Sequence, residues 1–231
     1  MKIGFVARDK EFGSFVSKKI KDYGFTLNNK NPDIILCIGG DGTFLIAERK
    51  YPGIPKVLVK HRSICRNCEK NDFHGILSRI KDKKYRTIEY AKLEAFVKGK
   101  KLIGMNDINI HYKPPFALRF NVKIGDKEFN NLIGDGIVVS TNYGSSGYFY
   151  SITKKKFKKN LGVAFNNLVS RLKYLITDKE IKVFITRGPG YVCADNNKKI
   201  ININDGDIIK IKKSKDKAKL IKLTKDVKMK F

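Results

Sequence analysis

Residues 34–43 constrain the fold of this chain more than any other segment, because they join an unbroken apolar run to a glycine-rich turn. The five consecutive apolar residues that open the segment are typical of a strand covered on both faces, as in a parallel α/β sheet. The three glycines that follow let a ligand approach the backbone closely. With Thr43 as N-cap, the pattern predicts a helix over residues 44–50 whose free N–H groups favour phosphate binding at the turn.

Asp41 is the one charged side chain of this turn. A carboxylate repels phosphate, so a role in binding the anion directly is unfavourable. We therefore expect Asp41 to act on a hydroxyl group, or on a magnesium ion, beside the phosphates.

Hydrophobic periodicity divides the chain into an α/β part and a β-rich part. A strand over residues 3–6, a helix over 11–23, a strand over 56–59 and a helix through 73–80 accompany the central strand, which predicts an open, Rossmann-like α/β sheet. Short alternating runs after Lys84 predict strands over 87–97, 101–111, 117–124, 127–133 and 136–141, and later over 181–185, 191–194, 199–203 and 208–211. Between them, residues 161–175 fit one helix or a loop with helical turns. The predicted domains are 1–86 and 87–218, with a tail, 219–231, that packs back on the first domain.

Composition excludes several classes of protein. The net charge is +27, but 40 of the 49 basic residues are Lys, and they are spread along the whole chain. Lysine clusters such as residues 154–159 are therefore interpreted as solvated faces. Nucleic-acid binding is not expected. Four scattered cysteines do not make a disulfide framework. No apolar run approaches the ~20 residues of a membrane span, and the first apolar run is too short for a signal peptide. We expect a cytoplasmic protein without a membrane partner.

Two further segments combine small residues with carboxylates or amides near strand ends. Asn106 and Asp107 are adjacent in a strand-like run, so one of the two side chains is expected to be buried or engaged. Residues 134–148 form a strand that leads into a Gly/Ser loop, whose hydroxyls, bare backbone and tyrosine ring suit an adenine.

The order and spacing of these segments resemble the NAD kinases. That family has the pattern GGDGT, then an Asn-Glu pair, then DGxxVSTPTGSTAY, and the similarity extends over roughly residues 1–225. The resemblance implies a kinase that phosphorylates the adenosine 2′-hydroxyl of NAD to give NADP, using ATP or polyphosphate and Mg²⁺. It also implies an α/β domain followed by a β-rich, two-sheet domain, and a homo-oligomer, dimer or tetramer, built through the second domain.

The resemblance also assigns roles to individual residues. Asp41 corresponds to the catalytic carboxylate, and no residue is assigned as a dedicated metal ligand. Asp107 stands where Glu is usual. The nucleotide and phosphate contacts implied are Gly39, Gly40, Gly42, Thr43, Asn106, Asp107, Asp135, Ser146, Gly147, Tyr148 and Ser151.

Three departures from the family pattern leave alternatives open. Residues 60–65 replace a glycine-containing motif, residues 152–156 replace Gly-Gly-Pro, and residues 142–143 replace Pro-Thr. The alternatives are a kinase of the same superfamily with a lipid or polyol acceptor, a catalytically silent nucleotide-binding protein, and an RNA-binding protein driven by charge.

The segment after the third predicted strand contains two further candidate groups. Lys60, His61 and Arg62 are candidates for cationic contacts to phosphate. His61, Cys65, Cys68 and His74 provide zinc-type ligands, but their spacing is tighter than in a usual zinc finger, so separate, reduced side chains are the preferred explanation. Cys37 and Cys193 are interpreted as core residues.

Overall fold

The structure is a computed structural model that describes residues 1–7, 12–60, 69 and 72–224. Its elements, in chain order, are β1 (Lys2–Ala7), α1 (Phe12–Asp22), β2 (Thr26–Leu27), β3 (Ile34–Gly39), α2 (Asp41–Lys50), β4 (Lys56–Lys60), α3 (Phe73–Lys81), β5 (Tyr85–Val97), β6 (Lys100–Gly104), β7 (Asp107–Tyr112), β8 (Leu118–Ile124), β9 (Lys127–Gly134), β10 (Gly136–Ser140), a 3₁₀ turn (Gly144–Ser146), α4 (Tyr148–Thr153), β11 (Leu161–Asn166), β12 (Tyr174–Thr177), β13 (Ile181–Arg187), β14 (Gly190–Ala194), β15 (Ile201–Ile203) and β16 (Ile208–Leu223).

The chain forms two compact units. The first comprises residues 1–90 together with the segment that starts at Ala218, and the second comprises Ala91–Lys217. The domain limits drawn from the sequence, at residues 86 and 218, stay predictions. No helix in the described ranges is long and apolar enough to cross a membrane.

The first unit is a parallel sheet flanked by helices. Its strands lie in the order β2, β1, β3, β4, and the last residues of β16 add a further parallel strand through the pairing of Leu220 with Lys56. All six residues of β3 are buried, as the unbroken apolar run predicts. Helices α1 and α3 bury their apolar faces against this sheet, with Val16, Ile20, Ile76 and Leu77 in one core.

A buried ion pair attaches α2 to the neighbouring strand. The Nζ of Lys56 lies 2.5 Å from Oε2 of Glu48, and it also donates to the carbonyl oxygens of Tyr51 and Ile54, at 2.6 and 2.7 Å. Lys56 is fully buried and Glu48 is only 4% exposed. Each charge therefore depends on the other for its stability in the interior. The pair fixes the position of the helix that begins at the glycine-rich turn.

The second unit consists of two antiparallel layers around one apolar core. In the first layer β13 lies between β16 and β8, β9 pairs with β8, and the β5–β6 hairpin joins through β16. In the second layer six strands lie in the order β12, β11, β10, β7, β14, β15. Alternate residues of both layers, such as Phe120, Ile110 and Val183, form the core. These two units confirm the predicted fold class, an α/β part followed by a β-rich, two-sheet part.

Two predictions about the second unit are wrong. Residues 161–175 form no helix, because Leu161, Val163 and Phe165 alternate with a period of two and bury their side chains in the core as part of β11. The strand predicted over residues 101–111 is interrupted. β6 ends at Gly104 and β7 begins at Asp107, so Asn106 lies in a turn rather than inside a strand.

Candidate functional site

The glycine-rich turn leads directly into α2. The helix begins at Asp41 with Gly40 as N-cap, so the prediction that Thr43 caps a helix starting at Phe44 is wrong. Gly39 has φ +152°, and a Cβ built on it would lie 2.2 Å from Oγ1 of Thr43. The threonine side chain therefore occupies the space that a larger residue at 39 would need, which is why glycine is required there.

Asp41 and Thr43 lie in the first turn of a ten-residue helix. Asp41 is half-buried, whereas Thr43 is 1% exposed and its Oγ1 has no hydrogen-bond partner among the described residues. The first N–H groups of a helix have no intrahelical acceptors, and the helix dipole is positive at this end. The turn therefore combines the positive end of a helix dipole with one carboxylate.

The turn that carries Asn106 is held by Asp195. The Asp195 carboxylate accepts hydrogen bonds from three consecutive backbone N–H groups, those of Met105 at 2.8 Å, Asn106 at 2.7 Å and Asp107 at 3.1 Å. In return, the N–H of Asp195 donates to the carbonyl oxygen of Asp107 at 3.0 Å. The backbone around Asn106 is thereby tied to the end of β14.

The same turn is also bonded to the loop after β10. The N–H of Thr141 and the hydroxyl of Ser140 donate to the carbonyl oxygen of Asn106, at 2.8 and 3.1 Å. The Thr141 hydroxyl donates to the carbonyl oxygen of Met105 at 2.7 Å and accepts from the N–H of Gly144 at 3.1 Å. A Cβ at Gly144 would lie 2.3 Å from the carbonyl oxygen of Asn106. Two of the predicted site segments therefore meet here.

One face of the six-stranded sheet is polar. Asp107, Asn109 and His111 alternate along β7, while Ile108 and Ile110 between them point into the core. The antiparallel register of β14 with β7 places Tyr191 beside His111 and Cys193 beside Asn109. Cys193 therefore lies half-buried on this polar face, which corrects its interpretation as a core residue.

Asp107 is the buried member of the predicted polar pair, with 6% of its surface exposed. One of its oxygens accepts a hydrogen bond from the side-chain amide of Asn109 at 2.9 Å. Burial, and secondly the charge of Asp195, raise the pKa of Asp107 to about 7, against the opposing effect of the Asn109 bond. The Oδ1 atoms of Asn106 and Asn109 are buried and have no partner among the described residues.

Tyr148 lies in a row of three stacked rings. The His111 ring is stacked on Tyr148, at 5.5 Å between centroids, and on Tyr191, at 5.7 Å. The Tyr148 hydroxyl accepts from the amide of Asn166 at 3.3 Å. Burial lowers the pKa of His111, and the charge of Asp135 opposes that shift.

The remaining predicted contacts lie around the start of α4. Asp135 is half-buried and accepts from the Asn167 amide at 3.2 Å. Ser146 is half-buried in the 3₁₀ turn, and Gly147 is exposed as the N-cap of α4. The exposed Ser151 hydroxyl donates to the carbonyl oxygen of Tyr148 at 2.8 Å, within its own helix.

The zinc and cationic hypotheses fall largely outside the described ranges. His61, Arg62, Cys65 and Cys68 are not among the described residues. Of the remaining members, Lys60 is exposed at the end of β4, and the Nδ1 of His74 is hydrogen-bonded to the Tyr23 hydroxyl. Among the residues that the structure describes, no group of three or more His, Cys, Asp or Glu side chains is arranged to hold a metal ion.

Sequence reasoning missed Asn109, His111, Tyr191 and Asp195. The sequence contains a pattern that could have identified them. The runs Asp-Ile-Asn-Ile-His and Tyr-Val-Cys-Ala-Asp both alternate polar and apolar residues with a period of two. Two adjacent strands with that pattern predict one functional face opposite a core face.

Comparison with known proteins places these features in a family. The model of the ATP-NAD kinase C-terminal domain matches residues 105–223, just over half of the chain. A NAD kinase from Sulfurisphaera tokodaii is 31% identical over 72% of this chain and 68% of that protein. One from Saccharolobus islandicus is 30% identical over 70% of this chain, and the alignment spans only 66% of that relative. The crystal structure of an Archaeoglobus fulgidus NAD kinase in complex with ATP has the same fold, with a TM-score of 0.80, 19% identity, and 98% of this chain and 94% of that one covered.

Proposed function

Because this chain belongs to the NAD kinase family, we propose that it transfers the terminal phosphoryl group of ATP to the 2′-hydroxyl of the adenosine ribose of NAD, giving NADP. The observation that carries the proposal is the joining of the Asn106 turn to the end of β10 and the loop after it by three hydrogen bonds. Those are the two segments most specific to the family pattern. Their mutual bonding supports one preorganised nucleotide site in the second unit.

Asp41 is the proposed catalytic residue. Its carboxylate takes the proton of the attacking 2′-hydroxyl, while the backbone N–H groups around Gly39, Gly40 and Gly42 hold phosphate oxygens at the start of α2. Phosphoryl transfer depends chiefly on positioning and on charge neutralisation, so one carboxylate and a phosphate-binding turn are a sufficient chemical set. The buried Lys56–Glu48 pair supports this arrangement because it fixes α2 against β4.

The nucleotide contacts proposed for the second unit follow from the polar face. Asn106 and Asp107 hold the adenosine and its ribose, and Asp135 contacts the nicotinamide end. Ser146, Gly147 and Tyr148 surround an adenine, with the ring of Tyr148 oriented by His111. The buried, unpartnered Oδ1 of Asn106 supports this assignment, because such an atom is satisfied when a ligand donor reaches it. The exposed Ser151 is the weakest contact of the set, since its hydroxyl is already bonded within α4.

Mg²⁺ is proposed to accompany ATP. It is generally bound by one or two carboxylates together with substrate phosphates, and the half-buried Asp41 beside the phosphate-binding turn fits that donor set. When bound, the ion neutralises charge on the phosphates. Polyphosphate as an alternative donor, a cytoplasmic location and assembly into dimers or tetramers are further parts of the proposal.

The decisive experiment incubates the full chain with ATP, Mg²⁺ and NAD and measures NADP. We expect formation of NADP and a loss of kcat of about 100-fold or more in Asp41→Asn, because a positioned general base typically contributes at least that factor. Asp72→Asn is the matched control. Asp72 is the acidic N-cap of α3, where it accepts from the N–H of Gly75, so the substitution removes one carboxylate at another helix start.

Other outcomes would contradict the proposal in distinguishable ways. NAD binding without NADP indicates a silent nucleotide-binding protein, and transfer only to a lipid or polyol indicates a different acceptor. Affinity for RNA that falls steeply with salt and is unchanged in Asp41→Asn indicates a polyanion-binding protein.

A further inference from the structure

Asp195 makes a set of contacts that the proposed roles do not use. A single carboxylate accepts from three successive backbone N–H groups, and hydrogen bonds to an ionised acceptor are about twice as strong as neutral ones. Asp195 itself has φ +50°, in the left-handed region that Asp and Asn tolerate better than other side chains do. Asp195 therefore combines an unusual backbone conformation with an unusual number of hydrogen bonds that its side chain accepts from backbone N–H groups.

The turn that Asp195 holds has no strand pairing of its own at Asn106. Asn106 falls between the end of β6 and the start of β7, so its backbone direction is set by local contacts. Its N–H is bonded to Asp195, and its carbonyl oxygen is bonded to Ser140 and Thr141. Removing the Asp195 carboxylate would leave three N–H groups of this turn without that acceptor, and an unsatisfied buried donor is costly.

We propose that Asp195 is a positioning residue for the nucleotide site, one that touches no ligand but fixes residues 105–107 so that the Asn106 amide meets the adenosine of NAD. This inference rests on the proposed function. Positioning of this kind affects binding more than the chemical step, because the reacting hydroxyl and phosphate are handled by Asp41 and its turn. The expected signature is therefore a split between KM and kcat.

The variants are Asp195→Asn and Asp195→Gly, both compatible with a left-handed backbone. The asparagine retains one acceptor oxygen and the glycine retains none. We expect KM for NAD to rise on the order of tenfold in Asp195→Asn and further in Asp195→Gly, with kcat changed much less. The matched control is Asp205→Asn, since the exposed Asp205 also accepts a backbone hydrogen bond, from Gly188 at 2.7 Å, but in another turn.

A double-mutant cycle separates positioning from general stability. If Asp195 acts chiefly through Asn106, the rise in KM caused by Asp195→Asn becomes much smaller in an Asn106→Ala background, where only the contact through Asp107 is left to position. Amide hydrogen exchange of residues 105–107 in the protein without ligand should be slow in the wild type and faster in Asp195→Asn, with little change elsewhere in the second unit.

Each result decides a different point. Additive effects of Asp195→Asn and Asn106→Ala on KM, or equal effects of Asp195→Asn on KM and kcat, overturn the positioning role. The proposed function stays intact in that case if the wild type forms NADP. Rapid exchange of these three amides in the wild type overturns the role without any variant. A wild-type protein that neither binds NAD nor forms NADP overturns the proposed function and the ligand part of this inference together.

Discussion

The ring of His111 lies nearly parallel to the ring of Tyr148, with 12° between their planes and 5.5 Å between their centroids. The two residues come from different elements, β7 and α4, so the stack helps to define where Tyr148 stands above the polar face. Burial lowers the pKa of His111, which favours the neutral imidazole. A ring stacked in this way can orient Tyr148 without carrying a positive charge.

Replacing His111 tests this relationship. His111→Ala should raise KM for NAD about two- to tenfold, because aromatic pairs contribute about 0.5–1.5 kcal/mol beyond their buried area. His111→Phe retains a ring and should leave KM close to the wild-type value. Steady-state kinetics at fixed ATP measures both, and equal effects of alanine and phenylalanine would show that stacking is not what matters.

The pKa of Asp107 predicts a pH-dependent stability. Because burial raises this pKa from 3.8 to about 7, the folded protein keeps a proton on Asp107 that the unfolded chain has already lost in this interval. The contribution of Asp107 to the free energy of unfolding is complete below pH 3.8 and declines as the pH rises to about 7. Asp107→Asn removes the titrating group. The free energy of unfolding of the variant should therefore rise relative to that of the wild type as the pH increases from 3.8 to about 7.

Urea unfolding at several pH values measures this difference. The exposed Asp126→Asn, which also removes one carboxylate from the second unit, is the control and should show no comparable trend. A difference between Asp107→Asn and the wild type that is constant with pH would contradict the assigned shift.

Gly144 is expected to tolerate no side chain. The Cβ of Gly144→Ala would lie 2.3 Å from the carbonyl oxygen of Asn106, which is backbone and cannot move aside cheaply. We expect a loss of stability of about 1–3 kcal/mol, typical of overpacking, together with weaker NAD binding. Gly13→Ala in α1 is the contrasting variant, because among the described residues the nearest atom to its Cβ would be in the ring of Phe5, at 4.0 Å. There, alanine in a helix should stabilise the protein slightly.

Chemical denaturation and NAD titration calorimetry report the two effects separately. Unchanged stability and NAD affinity in Gly144→Ala would mean that the Asn106 turn and the loop after β10 are not in close contact.

The buried pair Lys56–Glu48 predicts a strongly asymmetric response to substitution. Lys56→Met leaves the Glu48 carboxylate buried without this cation and should cost about 3–5 kcal/mol of the free energy of unfolding. The double variant Lys56→Met with Glu48→Leu should be less destabilised than Lys56→Met alone, because no charge is then left unpaired in the interior. Urea midpoints compare the three proteins, and simple additivity of the two substitutions would argue against the ion pair as the source of the cost.

Local patterns in the sequence were sufficient for the fold class and for most strands. The unbroken apolar run of β3 and the alternating runs after Lys84 each have one dominant period, and the structure has strands there. Residues 161–175 were ambiguous because Val163, Leu168, Val169 and Leu172 also fit a helical spacing. The pairing of β11 with β10 and β12 decided the question, and that pairing is invisible in a single segment.

The sequence singles out candidate residues where residue types are chemically unusual, as at Asp41 and Asn106, and their roles stay predictions. The candidate site was not predictable where the role of a residue depends on distant partners. Asp195 follows Asn106 by 89 positions, and nothing local to it indicates that its carboxylate binds that turn. The start of α2 was misplaced for a related reason, since a glycine N-cap leaves no side-chain signal.

The course of β16 has a consequence for how the protein is made. Its residues near Ile211 pair with β13 in the second unit, whereas Leu220 pairs with Lys56 of β4 in the first. During synthesis on the ribosome, Lys56 of β4 therefore lacks this partner until residues beyond 217 have emerged, after the whole second unit has been translated, whereas Glu69 can already bond to Leu58 and Lys60 of the same strand. The first unit is thus translated before the second but completed after it, and a nascent chain stopped at residue 90 would lack the Leu220 partner that Lys56 has in the finished protein.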